Sequence, residues 1–184
     1  MPGDSKRARF EREVLPHLDA AYDLARWLLR GSADAEDAAQ EACLRAYRYF
    51  DGFHGGNAKA WLLKIVRNSC YTLLMARPRA ESMSPDEEGR LDPAHERALA
   101  EAGHGEPSPE QHLIAKADAA LLQASLDSLA PEYREALVLR EIEELSYKEI
   151  GEIAGVPLGT VMSRLSRARA LLRKALRSRL AEEA

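Results

Sequence analysis

Cysteine, aromatic side chains, clustered histidine and long apolar runs are all scarce in this chain, and each shortage closes off a class of protein. Cys43 and Cys70 are the only two cysteines, and neither has a second Cys or His at metal-ligand spacing. A zinc site or a disulfide framework is therefore not expected, and both read as plain buried thiols of a reducing compartment. Aromatics make up 6% of the chain, and no run alternates Val, Ile, Thr and aromatics with period two, so strands are not expected. No apolar stretch approaches the roughly 18–20 residues needed to cross a bilayer, and residues 1–12 are charged with no apolar segment behind them. No membrane insertion is expected, and the location is expected to be cytoplasmic. His17, His54, His95, His104 and His112 are scattered. No nucleophile–base pair or glycine-rich phosphate loop accompanies them, so the expectation is no enzyme, no cofactor and no metal.

What the chain does have is helix-forming composition: 46% hydrophobic residues, with abundant Ala, Leu, Glu and Arg, over 184 residues. The fold class expected is all-α, with two small helical domains joined by a flexible acidic linker and a helix-turn-helix as the C-terminal domain. A net charge of −4 conceals a strong pattern. Residues 52–80 carry five basic groups and no acid, and residues 156–184 carry seven basic and two acidic groups. Residues 81–110 carry two and nine. Screening over about 8–10 Å makes local fields decide what a surface binds, so a basic stripe can hold phosphate on an acidic protein.

Domain boundaries follow from the same pattern: a first domain over residues 8–80, a linker over 81–110 and a second domain over 111–180. The linker segment holds Pro85, Pro93, Pro107 and Pro109 and the acidic run Asp86-Glu87-Glu88, with no apolar period. A short helix over residues 94–102 is the other reading. Upstream, Pro16 opens a helix that runs to Leu29 and is ended by Gly31, and Ser32 caps a helix over residues 33–50. Ala35, Ala39, Ala42, Ala46 and Tyr49 are its expected buried stripe. Asn57 caps a third helix over residues 58–75, with Trp61, Ile65, Asn68 or Ser69, and Thr72 at helical spacing.

In the second half, Ser108-Pro109-Glu110-Gln111 opens a helix to about residue 128, and Pro131 starts another to about residue 142. Ser146-Tyr147-Lys148-Glu149 is a capping box for a short helix presenting Ile150, Ile153 and Ala154 inward. Gly155 supplies positive φ at the turn, Val156 fills the angle, and a helix from about residue 157 to 180 buries Val161, Leu165, Ala168 and Leu172. This leaves Thr160, Ser163, Arg164, Arg167 and then Arg173, Lys174 and Arg177 on other faces, and the candidates for a major groove are Lys148, Thr160, Ser163, Arg164, Arg167 and Arg169. Hydroxyls and backbone N–H groups hold phosphates there, and arginine forks onto guanine. A merely solvated basic helix is the bland alternative, and the capped short helix, glycine turn and basic second helix together argue against it.

Residues 52–80 combine Lys59, Lys64, Arg67, Arg77 and Arg79 with Phe53, Trp61 and Tyr71. Cations follow a nucleic-acid backbone, aromatics stack bases, and Asn68 reaches a base edge, while Trp61 and Tyr71 as core residues remain the alternative. On the helix before it, Asp37, Glu41, Leu44 and Arg48 share one face opposite the alanine stripe. That face is either a docking surface or solvated, with a Glu41–Arg45 pair contributing about 0.3–0.5 kcal/mol.

The run Ser128-Leu129-Ala130-Pro131-Glu132-Tyr133-Arg134-Glu135-Ala136-Leu137, then Leu145-Ser146-Tyr147-Lys148-Glu149-Ile150 and Gly159-Thr160-Val161-Met162-Ser163-Arg164-Leu165-Ser166-Arg167, resembles region 4 of bacterial extracytoplasmic-function (ECF) sigma factors. Asp34-Ala35-Glu36-Asp37-Ala38-Ala39-Gln40-Glu41-Ala42-Cys43-Leu44-Arg45-Ala46-Tyr47 and Trp61-Leu62-Leu63-Lys64-Ile65-Val66-Arg67-Asn68 resemble their region 2. The resemblance implies a sigma factor that directs promoter recognition, strand opening and transcription initiation. It implies that Asp37, Gln40, Glu41, Leu44 and Arg45 dock on the β′ coiled coil of RNA polymerase core. It further implies that Phe53, His54, Asn57, Lys59, Lys64, Arg67, Asn68 and Tyr71 serve the single-stranded −10 element, while the helix-turn-helix reads the double-stranded −35 element. An anti-sigma factor is the further partner implied. Met162 stands where relatives often carry Arg or Lys. Two other readings use the same residues: a sigma-like mimic that sequesters an anti-sigma factor, or a plain helix-turn-helix regulator.

Overall fold

The structure, a computed structural model, describes residues 5–76 and 109–182. The segment 81–108, which carries most of the expected linker and the alternative helix over residues 94–102, lies outside them. The described residues form eight α-helices joined by short 3-10 and π turns, with no strand among them. They are α1 (Lys6–Glu13), α2 (Leu18–Leu29), α3 (Ser32–Tyr49), α4 (Ala58–Ala76), α5 (Pro109–Asp127), α6 (Pro131–Leu137), α7 (Tyr147–Ala154) and α8 (Leu158–Glu182). The fold is all-α, as composition predicts. Among the described residues no helix is long and apolar enough to cross a membrane, and no group of three His, Cys, Asp or Glu is placed to hold a metal ion.

α2, α3 and α4 pack pairwise around one core. α2 contributes Leu24, Trp27, Leu28 and Leu29, α3 only small residues, and α4 Leu62, Leu63 and Val66. The buried stripe of α3 is Ala35, Ala38, Ala42 and Ala46, whose single methyl groups let neighbouring helices approach closely. The stripe predicted from sequence erred at two places: Ala38 replaces Ala39, and Tyr49 is 66% exposed. On α4 the buried residues are Ala60, Leu62, Leu63, Val66, Ser69 and Cys70, whereas Trp61 and Ile65 are half-buried and Thr72 is exposed. The sequence reading assumed one apolar face, but α4 packs on α2, α3 and α7 and so buries a broader arc.

The sequence reading missed α1. Ser5 caps it by accepting from Ala8 N at 3.3 Å, and Phe10 meets Tyr47 and Phe50 edge-to-face with centroids 5.1 and 5.3 Å apart. A 3-10 turn over Leu15–His17 containing Pro16 follows, so α2 starts at Leu18 rather than at the proline. The left-handed residue ending α2 is Arg30 (φ 60°), not Gly31, which is extended and precedes α3 without a side-chain cap. Ser32 is therefore already inside α3.

Helices α1–α4 and the stretch Ala130–Ala170 form one compact unit, and α5 with the chain from Leu171 onward forms a second. In the first unit α6 packs on α2, and α7 on α4. Arg134 on α6 is 1% exposed, and its Nη1 donates to the Trp27 carbonyl oxygen at 2.7 Å. The guanidinium thus satisfies an end carbonyl of α2 and meets the negative pole of its dipole. In the second unit, Arg179 Nη2 donates to the Ala124 carbonyl oxygen at 3.1 Å.

Candidate nucleic-acid and polymerase-binding surfaces

The helix-turn-helix forms as its local chemistry dictates. Ser146 Oγ accepts from Glu149 N at 3.2 Å, and the Glu149 carboxylate accepts from Ser146 N at 2.8 Å, which closes both halves of the capping box. These bonds, the Ser146 backbone first, hold the Glu149 carboxyl below the usual range. Gly155 ends α7 at φ 67°, and Val156 N returns to the Gly151 carbonyl oxygen at 3.0 Å. Gly151 escaped the sequence reading: a Cβ there would lie 2.9 Å from the Val156 carbonyl oxygen, so the turn needs glycine for close approach. On α8, Val161, Leu165 and Ala168 are buried as the spacing predicts, while Leu172 is only half-buried.

The predicted groove-facing residues lie on the outer side of this motif. Lys148, Ser163 and Arg167 are exposed, and Thr160, Arg164 and Arg169 are half-exposed. Ser163 Oγ donates to the Thr160 carbonyl oxygen at 3.0 Å. Arg167 Nη1 donates to Tyr133 Oη at 3.3 Å, and Arg169 Nη2 donates to Glu141 Oε1 at 2.7 Å. Both contacts are at the surface, and the Arg169–Glu141 pair is a solvent-exposed ion pair of the kind that adds little to stability.

The predicted polymerase-binding set is also brought together. Asp37, Gln40, Glu41 and Leu44 are exposed on α3, opposite the alanine stripe, and Leu44 is 62% exposed. Arg45 Nη2 reaches Glu41 Oε1 at 2.7 Å across one helical turn.

The predicted single-strand site divides. His54, Lys64 and Asn68 are exposed. Phe53 is corrected: it is 6% exposed, stacked on Phe50 at 5.8 Å and tilted against Trp61 at 4.9 Å. Its ring therefore supports the loop from beneath and offers no face to a base. Gly55 and Gly56 carry the loop through positive φ (94° and 106°) to Asn57, whose Oδ1 caps α4 by accepting from Ala60 N at 3.1 Å.

The other members are already engaged by carboxylates from the second half of the chain. Asn57 Nδ2 donates to Glu149, and Lys59 Nζ lies 2.8 Å from Glu143 Oε2. Arg67 Nε lies 2.5 Å from Glu135 Oε1, and Tyr71 Oη donates to Glu135 Oε2 at 3.0 Å. Arg67 also covers the Tyr71 ring at 4.1 Å. Burial pushes the Glu135 carboxyl up against the opposing pull of Arg67, and burial beside Glu135 pushes the Tyr71 phenol up. Partners 64 to 92 residues away leave no local trace in a sequence.

Comparison with known proteins gives the family of the chain. Residues 14–79 match the family described as Sigma-70 region 2, and residues 119–172 match Sigma-70, region 4. The chain is 39% identical to the ECF RNA polymerase sigma factor SigE of Mycolicibacterium smegmatis over 93% of its own length, and it spans 63% of that relative. It is 34% identical to the RNA polymerase sigma-H factor of Pseudomonas aeruginosa, covering 96% of this chain and 90% of that one. Among solved structures, the sigma factor RpoE in complex with the anti-sigma factor NepR from Bartonella quintana superposes with a TM-score of 0.69 at 30% identity, covering 91% of this chain and 96% of that one. With both regions matched in order, and with 34% identity to an ECF RNA polymerase sigma-E factor of Escherichia coli of which the chain covers 71%, the chain belongs to the ECF sigma factors of the sigma-70 family.

Proposed function

We propose that the protein is an alternative sigma factor that binds RNA polymerase core and directs promoter recognition, strand opening and transcription initiation. It works in the cytoplasm and performs no chemistry of its own. The observation that carries this reading is that one chain presents two unlike exposed surfaces. One is the Asp37–Gln40–Glu41–Leu44–Arg45 face of α3, and the other is the basic start of α8 behind a fully formed capping box and glycine turn. A plain regulator has use only for the second.

In this reading the first domain spans residues 8–80 and the second 111–180, joined by 81–110. The α3 face docks on the polymerase β′ coiled coil. The start of α8 enters the −35 major groove, with Thr160, Ser163 and Lys148 on phosphates and Arg164, Arg167 and Arg169 on base edges or phosphates. His54, Asn57, Lys59, Lys64, Arg67, Asn68 and Tyr71 follow the exposed −10 strand, with Asn68 on a base edge. Binding of that strand supplies the free energy for melting, through cations on its phosphates and hydrogen bonds to its exposed base edges. The similarity to a sigma factor crystallised with its anti-sigma factor supports an anti-sigma factor as a further partner.

In-vitro transcription with core polymerase tests this reading. Initiation is expected only with the protein present and only at promoters bearing both elements. Initiation without the factor, or none at any genomic promoter, refutes it.

A further inference from the structure

The outward side of α8 is divided along its length. Val161, Leu165 and Ala168 face the core. At 3.6 residues per turn, Gly159, Ser163 and Ser166 fall on a strip opposite that buried side, and all three are exposed. A Cβ added to Gly159 would meet nothing within 4 Å, so the strip is open there. Arg164 and Arg167 stand on one flank of it. On the other stand Leu158 and Met162, one turn apart and each 54% exposed. The helix buries its own apolar stripe elsewhere, so these two large apolar side chains add little to the core.

The proposed function puts this end of α8 in a major groove, where the first residues of a recognition helix meet base edges. A groove about 12 Å wide accepts a helix of about 10–12 Å, and small side chains on the leading strip let its backbone approach the floor. Charge complementarity favours this occupant, since residues 158–170 hold Arg164, Arg167 and Arg169 and no acid. The arginine flank carries donors for guanine O6 and N7. The Leu158–Met162 flank offers no donor and only a weak sulfur acceptor. A polar base edge covered by it would lose water and gain no hydrogen bond. One major-groove feature is apolar, the C5-methyl of thymine. Met162 is unbranched, with a polarizable thioether, and so adapts its shape to such a small target.

We propose that Met162 is a specificity-determining residue that packs on a thymine C5-methyl in the −35 element, with Leu158 shielding the contact from water. Base preference at that step is then set by an apolar contact rather than by a hydrogen bond. This rests on the reading of α8 as the −35 helix, and the test separates the two.

The test uses core polymerase reconstituted with the full chain, on a promoter mapped for that holoenzyme. Each thymine of the −35 element, on either strand, is replaced in turn by deoxyuridine, which removes the methyl and keeps every hydrogen-bonding group. Each template then competes with its parent at limiting holoenzyme, and the two transcript yields are compared. At one thymine, or at two adjacent ones, the parent should win by about three- to fourfold, the effect of burying one methyl-sized group. Met162→Ala should use the two templates equally. Its fold should hold, because the side chain is exposed and alanine is the better helix former.

Undiminished discrimination in Met162→Ala overturns the proposal, as does a −35 element in which no deoxyuridine substitution is felt. Scrambling the whole −35 element separates this inference from the reading beneath it. If initiation survives the scramble, the assignment of α8 to that element fails and the methyl contact falls with it. If initiation is lost but no single methyl matters, α8 keeps its assignment and the role of Met162 is refuted.

Discussion

Three glycines of the helix-turn-helix separate packing, strain and helix propensity, and replacing each by alanine gives a prediction with a fixed order. At Gly159, inside α8, an added Cβ meets nothing within 4 Å and φ is ordinary. The change therefore stabilises through helix propensity alone, by at most the ~1 kcal/mol of an interior position and by less here in the first turn. At Gly155 there is also open space, but φ is +67°, so alanine costs about 1–2 kcal/mol of left-handed strain with no compensation. Gly151 has both effects. Alanine gains the same ~1 kcal/mol of propensity. Its Cβ, however, would sit 2.9 Å from the Val156 carbonyl oxygen and 3.6 Å from Val161 Cγ2. The obstructing atom is backbone in the turn itself, fixed by the Val156 N to Gly151 O bond, so the relaxation open to a flexible side chain is missing. Overpacking of this kind costs about 1–3 kcal/mol, leaving a net loss of about 0–2 kcal/mol. Denaturant unfolding of the full-length variants should rank them Gly159→Ala above the parent, with Gly151→Ala and Gly155→Ala below it, at similar m-values. In thermal unfolding about 1 kcal/mol corresponds to roughly 2–4 °C at this size. If Gly151→Ala is stabilised as much as Gly159→Ala, the close approach inferred at the turn is wrong.

The two cysteines should differ in reactivity. Burial, with Glu135 nearby, pushes the Cys70 thiol up to about 12, whereas Cys43 is raised but half-exposed. Alkylation at pH 8 should label Cys43 first and Cys70 only on unfolding, and labelling of both at equal rates would contradict the packing of α4. Arg164→Ala and Arg167→Ala should each abolish −35-dependent transcription while leaving polymerase-core binding within about twofold, because neither arginine lies on the α3 face. Co-elution with core polymerase checks the second half of that statement. Leu44→Asp should do the reverse: lost co-elution and unchanged unfolding free energy within about 0.5 kcal/mol, since the side chain is 62% exposed.

Local chemistry settled much of this protein without any tertiary information. The Ser146–Glu149 box, the positive φ of Gly155, the Val161–Leu165–Ala168 spacing and the Asn57 cap each depend on residues within one or two turns of one another. For that reason they could be read from order alone. The exposed α3 face was legible for the same reason: alanines at helical spacing fix which side is buried, and the acids must then face out. Tertiary packing decided the rest. It placed Phe53 in a ring cluster with Phe50 and Trp61, gave the left-handed position to Arg30 rather than Gly31, and broadened the buried arc of α4. It also buried Arg134 on the end of α2 and set Glu135, Glu143 and Glu149 on the first-half donors. A charge on an isolated helix carries no record of its distant partner, because attraction between groups tens of residues apart acts only after folding brings them within a few ångströms. The sequence thus specified which groups can donate to an anion, and only the folded chain showed that several of them already hold a carboxylate.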